Sequence, residues 1–125
     1  MAKEIIFTEK APKAVGPYVQ AVKSNGMVYC SGQLGIDVEA GGLAEGVKAQ
    51  AHCSMKNLGA VLTAAGSSYK KIVKTLIFLT DMNDFAEVNK IYESYFEGDF
   101  PARSCVQVAK LPLGGLVEIE CVAEA

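Results

Sequence analysis

Phe100 to Glu120 reads FPARSCVQVAKLPLGGLVEIE, and the fold turns on how this stretch is parsed. It breaks into two short alternating segments joined by a connection containing proline and two glycines. In the first, Arg103, Cys105 and Gln107 project to one side of an extended chain and Ser104, Val106 and Val108 to the other. In the second, Val117, Ile119 and Cys121 share one face while Glu118 and Glu120 share the opposite one. Pro101 holds the entry to Arg103 extended. An arginine within an apolar strand requires an anionic partner, because its desolvated charge is otherwise costly. A planar carboxylate suits its forked donors best.

That partner is either Glu118 or Glu120, in a structural ion pair, or an anion from elsewhere. If Lys110 to Leu116 is a hairpin connection, Glu118 falls opposite Val108 or Ala109. Arg103 is then five or six residues further along, on the order of 15–20 Å at ~3.3 Å per residue. Either the two strands are not simple neighbours, or Arg103 meets its anion on a ligand or another subunit.

Working outward, Ile72 to Leu79 is nearly continuous, apolar and β-branched, which predicts a central strand covered on both faces. Upstream, Val47, Ala51, Met55, Leu58, Leu62 and Ala65 fall at helical spacing, predicting a helix from about Glu45 to Ala65 stopped by Gly66. Asp84, with Glu87 three residues on, predicts a capped second helix whose stripe is Phe85, Val88, Tyr92, Tyr95 and Phe96. Asn89 lies on that stripe, where a buried amide needs a hydrogen-bond partner. Near the start, Ile5 to Phe7 and Tyr18 to Lys23 read as strands. The Asn25-Gly26 turn then returns the chain antiparallel over Met27 to Gly32. Gly35 to Gly46 reads as a loop. The order β-β-β-α-β-α-β-β implies a single α+β domain over residues 1–125: one mixed six-stranded sheet with both helices on one face.

Composition narrows the classes further. Hydrophobic residues make up 50% of the chain, a high share for 125 residues, and an oligomer that buries an apolar face would account for it. A net charge of −2 with scattered lysines offers no basic stripe for nucleic acid. The four cysteines, Cys30, Cys53, Cys105 and Cys121, lack metal-ligand spacing and read as free thiols of a reducing, cytoplasmic compartment. No apolar run is long enough to span a membrane. His52, the single histidine, has no carboxylate or thiol at ligand spacing and reads as structural or solvated.

The segment Pro101-Ala102-Arg103-Ser104-Cys105-Val106, followed by Val117-Glu118-Ile119, resembles the signature of the RidA (YjgF) family of reactive-intermediate deaminases. Gly16-Pro17-Tyr18, Ser31-Gly32-Gln33 and Asn83-Asp84-Phe85 with Asn89 extend the resemblance over nearly the whole chain. It implies a chorismate-mutase-like α+β fold assembling as a homotrimer with clefts between subunits. The implied reaction is hydrolysis of short 2-imino acids, 2-iminobutanoate and 2-iminopropanoate, to 2-oxo acids and ammonia, without metal or organic cofactor. In that reading Arg103 holds the substrate carboxylate and Glu118 activates water, with Glu120 as its rival on the same face. Tyr18, Ser31 and Asn89 supply hydrogen bonds, Gly32 and Cys105 supply backbone donors, and Cys105 lines the site without acting as a nucleophile.

Two other classes stay in view: a translation-inhibiting endoribonuclease, and a non-catalytic, chaperone-like module binding small carboxylates. The absence of a basic face and of a histidine pair counts against the first. The presence of both Arg103 and Glu118 counts against the second, since a binder has no use for a water-activating carboxylate. Gly35 departs from the proline expected in close relatives, which would loosen the loop after Gln33 and bear on substrate preference.

Overall fold

The computed structural model describes residues 2–125. Its strands are β1 (Glu4–Ile6), β2 (Ala21–Ser24), β3 (Met27–Leu34), β4 (Ile36–Asp37), β5 (Gly42–Leu43), β6 (Ile72–Leu79), β7 (Ala102–Gln107) and β8 (Val117–Glu124). Its helices are α1 (Gly46–Ala64) and α2 (Phe85–Glu93). Six strands form one sheet in the order β1-β2-β3-β8-β6-β7, and β4 and β5 pair as a separate small hairpin. Within the large sheet only β6 and β7 are parallel, so the sheet is mixed as expected.

The hairpin reading of the last two strands does not survive. β8 pairs with β3 on one side and β6 on the other, while β7 lies beyond β6 at the sheet edge. The burial of each strand explains the placement. Val117, Ile119, Cys121 and Ala123 alternate at 0–3% exposure, as a strand covered on one face and paired along both edges must. β7 has no fully buried residue. It follows β6 through α2, and a strand–helix–strand link of this kind gives parallel neighbours. The chain then crosses the end of β6, where Val108 N–H donates to Leu79 and Thr80 N–H to Leu116, before entering the gap between β3 and β6.

Alternation divides the sheet into two faces. Thr75, Ile77, Leu79, Val117, Ile119 and Cys121 are buried on one. α1 lays Met55, Leu58, Val61 and Leu62 on that face at 0% exposure, and Tyr92 of α2 reaches the same face, its hydroxyl 2.7 Å from Thr75 Oγ1. The opposite face carries no helix. There Tyr29 and Val106 stay 46% and 40% exposed beside half-buried Leu76, Phe78 and Val122.

Local signals fared unevenly. Asn25 and Gly26 hold φ of 50° and 76°, the left-handed pair that a two-residue hairpin turn needs. Gly66, at φ 80°, ends α1 with Ser67 N–H donating back to Leu62 at 2.8 Å and Gly66 N–H to Thr63 at 3.0 Å. The Asp84–Glu87 capping box is absent: Asp84 already has helical dihedrals, and the cap moves back to Asp81, whose carboxylate accepts from Asn83 N–H at 2.9 Å. Tyr18 is not in a strand. Pro17 has no N–H to give a ladder, and Tyr18 N–H closes a tight turn onto Gly16 O at 2.9 Å, so β2 begins only at Ala21.

Gly35 does not loosen its loop. It is buried, and a Cβ there would lie 2.3 Å from Gln50 Cβ, so the missing side chain is what lets α1 pack against the segment. Two amides in α1 that the apolar stripe did not announce hold the same region. Gln50 accepts from Leu116 N–H and donates to Ala44 O, and Asn57 donates to Leu34 O and Ile36 O.

Candidate active site

Cross-strand register fixes where the two charged candidates stand. Arg103 is level with Thr75, and Cys105 with Ile77, so both lie on the helix-bearing face. Glu118 is level with Phe78 and Glu120 with Leu76, on the open face. Two strand spacings of ~4.8 Å and three residue steps of ~3.3 Å put the Arg103 and Glu118 Cα atoms about 14 Å apart, before their opposite directions are counted. Glu120, one step along instead of three, is about 10 Å from Arg103 at Cα but also points to the other face, so neither carboxylate pairs with Arg103 within the chain.

Arg103 is instead held by neutral groups. Its Nη1 donates to Asn89 Oδ1, and its Cζ lies 5.5 Å from the Phe85 ring centre and 5.3 Å from that of Tyr92. Phe85 and Asn89 are one helical turn apart on α2, so the helix presents ring and amide to the guanidinium together. Tyr92 is pinned at its far end by Thr75, the register neighbour of Arg103. Stacking on two rings contributes on the order of 0.5–2 kcal/mol each and fixes the plane of the fork. Among the described residues Arg103 forms no ion pair. Among the same residues Arg103 makes no other side-chain hydrogen bond, and it lines a cavity of about 390 Å³ together with Asn89, Tyr92, Glu93, Phe100 and Pro101.

Cys105, two residues along β7 from Arg103, is partly buried and does not line this cavity. Burial pushes its thiol up, with the Arg103 charge acting the other way. A thiol so placed is a poor nucleophile at neutral pH. His52 offers it no help: that imidazole lies exposed on α1 with Nδ1 2.9 Å from the Tyr95 hydroxyl.

A second cavity, of about 180 Å³, collects Tyr18, Gly32 and Glu118 with Pro12, Lys13, Pro112 and Leu113. Glu118 is half-buried on β8. Desolvation, and then the neighbouring charge of Glu120, raise its carboxyl above the ordinary glutamate value. That is the direction a general base for neutral pH requires. β3 makes room for it. The ladder to β8 slips between Cys30 and Gln33, and in the resulting bulge a Cβ on Gly32 would lie 2.8 Å from Glu118 Cδ.

Ser31, in the same bulge, spends its hydroxyl on Val19 O at 2.6 Å, tying the Tyr18 loop to the strand. Gln20, 3% exposed, completes that tie. Its side chain accepts from Thr8 N–H at 2.7 Å and donates to Thr8 O and Pro12 O at 3.0 and 2.9 Å.

The site residues expected from sequence thus separate into two half-sites on opposite faces. Arg103 and Asn89 line one cavity and Tyr18, Gly32 and Glu118 the other, while Cys105, two residues along β7 from Arg103, and Ser31, next to Gly32, line neither. Tyr92, Glu93 and Phe100 were not anticipated in the first, nor the rim of Pro12, Pro112 and Leu113 in the second. Glu93 was within reach of sequence reasoning, since it follows Asn89 by one helical turn.

The chain thus combines an α+β fold, an open sheet face, an arginine lining one cavity and a carboxylate with a raised pKa lining another, the fold class of small α+β enzymes. The chain belongs to the RidA (YjgF) family. A family profile described as Endoribonuclease L-PSP matches residues 8–125. The chain is 50% identical over 122 residues to the 2-iminobutanoate/2-iminopropanoate deaminase of Mus musculus, covering 97% of this chain and 90% of that protein. Among solved structures it resembles RidA from an Antarctic Psychrobacter, with a TM-score of 0.95 and 48% identity over 98% of this chain and 99% of that one. Escherichia coli TdcF with bound serine is similar as well, with a TM-score of 0.94 and 43% identity over 98% of both chains.

Proposed function

We propose that this protein is a reactive-intermediate deaminase that hydrolyses short 2-imino acids, 2-iminobutanoate and 2-iminopropanoate among them, to 2-oxo acids and ammonia. The observation that carries the reading is that its two charged groups each face a cavity and not each other. Arg103 keeps donors for an incoming carboxylate, and Glu118 keeps a carboxyl tuned upward for proton transfer. The relatives named 2-iminobutanoate/2-iminopropanoate deaminase support it.

Arg103 grips the substrate carboxylate in bidentate fashion, with Asn89 and the two aromatic rings keeping the guanidinium plane fixed. Glu118 takes a proton from water as its oxygen adds to C2 of the protonated imine. Glu118 returns that proton to the carbinolamine nitrogen; the C–N bond then breaks as the hydroxyl proton passes to Glu118, C2 becomes a carbonyl, and the departing ammonia takes the proton from Glu118 to leave as ammonium. Tyr18 and the backbone at Gly32 orient the water and the developing oxygen. Substrates of this class are released as enamines by dehydratases that use pyridoxal phosphate.

The half-sites become one site between subunits. The fold, read as chorismate-mutase-like, buries its open sheet face in a homotrimer, and the exposed Tyr29 and Val106 on that face support this. In a cyclic trimer each interface is head-to-tail, so the arginine half of one chain meets the glutamate half of the next. The free thiols Cys30, Cys53, Cys105 and Cys121 support a reducing, cytoplasmic setting. Among the described residues no helix is long and apolar enough to cross a membrane. The family profile's description names an endoribonuclease, but one histidine and a net charge of −2 give that reading less support than the deaminase relatives give the other.

The test is a threonine dehydratase reaction run with and without the purified protein, following 2-oxobutanoate release. Acceleration by metal-free protein is expected. No acceleration with imines of any chain length overturns the reading.

A further inference from the structure

The arginine cavity carries a second charged group that the reaction as described leaves without a task. Glu93 lines it together with Arg103, one helical turn beyond Asn89 on α2. Residues four apart on a helix have Cβ atoms about 5–6 Å from each other, so the exposed Glu93 side chain starts beside Asn89, whose amide holds the guanidinium, and can reach over the same cavity. It does not pair with it: among the described residues no carboxylate lies within ion-pair distance of Arg103. A cation and an anion that line one cavity without pairing match a ligand that carries an anionic and a cationic group side by side.

Short 2-imino acids are such ligands in their reactive form. The carboxylate sits on C1 and the protonated nitrogen on C2, so the two charges are separated by two covalent bonds. With the carboxylate on the Arg103 fork, the nitrogen projects a few ångströms along the cavity wall. We propose that Glu93 binds the protonated nitrogen of the substrate and keeps it charged during attack by water. It is thus a further substrate-contacting residue of the arginine half-site.

The inference rests on the deaminase reading and assigns the nitrogen an anchor of its own. Glu118 is then left to handle the water. Keeping the nitrogen protonated matters because the neutral imine is a much weaker electrophile at C2. The net reaction stays balanced: iminium carboxylate and water give 2-oxo carboxylate and ammonium, and Glu93 ends in the state in which it began. A cavity of about 390 Å³ has room for both ends of so small a ligand.

Calorimetric titration with two stable ligands of matched shape tests this. 2-Aminobutanoate presents a carboxylate and an ammonium, whereas 2-oxobutanoate presents a carboxylate and a neutral carbonyl. Glu93→Gln is expected to weaken the amino acid by about tenfold or more, the share of one charge-assisted hydrogen bond, and to leave the oxo acid within about twofold. Equal weakening of both ligands overturns the proposal, because it marks a structural role. So does unchanged binding of both, or a wild-type protein that binds the oxo acid but not the amino acid. Failure of the deaminase reading is separately visible as a wild-type protein inactive in the dehydratase-coupled assay.

Discussion

Gly32→Ala separates chemistry from folding. A Cβ built on Gly32 meets Glu118 Cδ at 2.8 Å, Oε2 at 2.9 Å and Cγ at 3.0 Å, and no other heavy atom comes closer. Ordinary contact between such atoms is about 3.5–4.0 Å. The carboxylate must therefore retreat by roughly 0.7 Å or more, or swing to another rotamer, to restore van der Waals separation. Because the struck atoms are the mobile end of a half-buried side chain, the fold should lose little, on the order of 1 kcal/mol or less. The site loses more. A displacement approaching 1 Å in a group that must line up with water and substrate costs up to about a hundredfold in rate.

The expected result is kcat/KM down by about 10- to 100-fold with Tm within a few degrees of wild type, since ~1 kcal/mol moves Tm by about 4–8 °C or less in a domain of this size. Steady-state rates in the coupled assay, together with thermal unfolding followed by circular dichroism, decide it. Full activity in Gly32→Ala would show that Glu118 does not need its observed position, and the assignment of the base would fall. Global unfolding would show instead that the bulge, not the carboxylate, is what the glycine serves.

Glu118→Gln should abolish most turnover while leaving 2-oxobutanoate binding intact, and the wild-type rate should fall as pH drops through a Glu118 pKa raised above the ordinary value. Stability depends on pH in the opposite direction to the rate. The folded state holds this proton more tightly than the unfolded chain, so the stability contributed is full at low pH and lost as pH rises through the raised pKa. The glutamine variant should accordingly be no less stable than wild type at neutral pH, and a clear loss of Tm there contradicts the burial argument. Arg103→Ala and Glu118→Ala chains, each inactive alone, should recover activity when unfolded and refolded together. Random mixing leaves roughly a quarter of head-to-tail interfaces with both groups intact, and mixed trimers that form but stay inactive would place the site within one chain.

How much was legible beforehand depends on the range of the interaction. Asn25-Gly26, the α1 stripe and the Gly66 stop are set by neighbours a few residues away, and each took the predicted conformation. Tyr18 and Asp84 failed on local competition. A proline and a tight turn displaced the strand start, and a short 3-10 turn moved the cap to Asp81. The position of β8 was beyond reach for a different reason. Its alternating pattern is the same whether it pairs with β7 or between β3 and β6, because period alone records which face is buried and says nothing of the strand alongside. Gly32 shows the same limit. A glycine in a strand announces a bulge or a close approach, but only the slipped register names Glu118 as what approaches.

The separation of Arg103 from Glu118 follows from that insertion and supports the proposal that the site forms between chains. A hairpin would have kept the two residues on one ribbon, too far along it to meet. With β6 between their strands they are nearer along the sheet, about 14 Å at Cα, yet face opposite ways. No loop movement within a chain reverses a face, because a one-residue slip would carry Val117, Ile119 and Cys121 out of the core with it. The same register that buries the core thus commits one charge to the helix side and the other to the bare side. In the proposed trimer a second copy laid against that open face brings an arginine to the glutamate, so that the surface proposed to drive assembly would also complete the site.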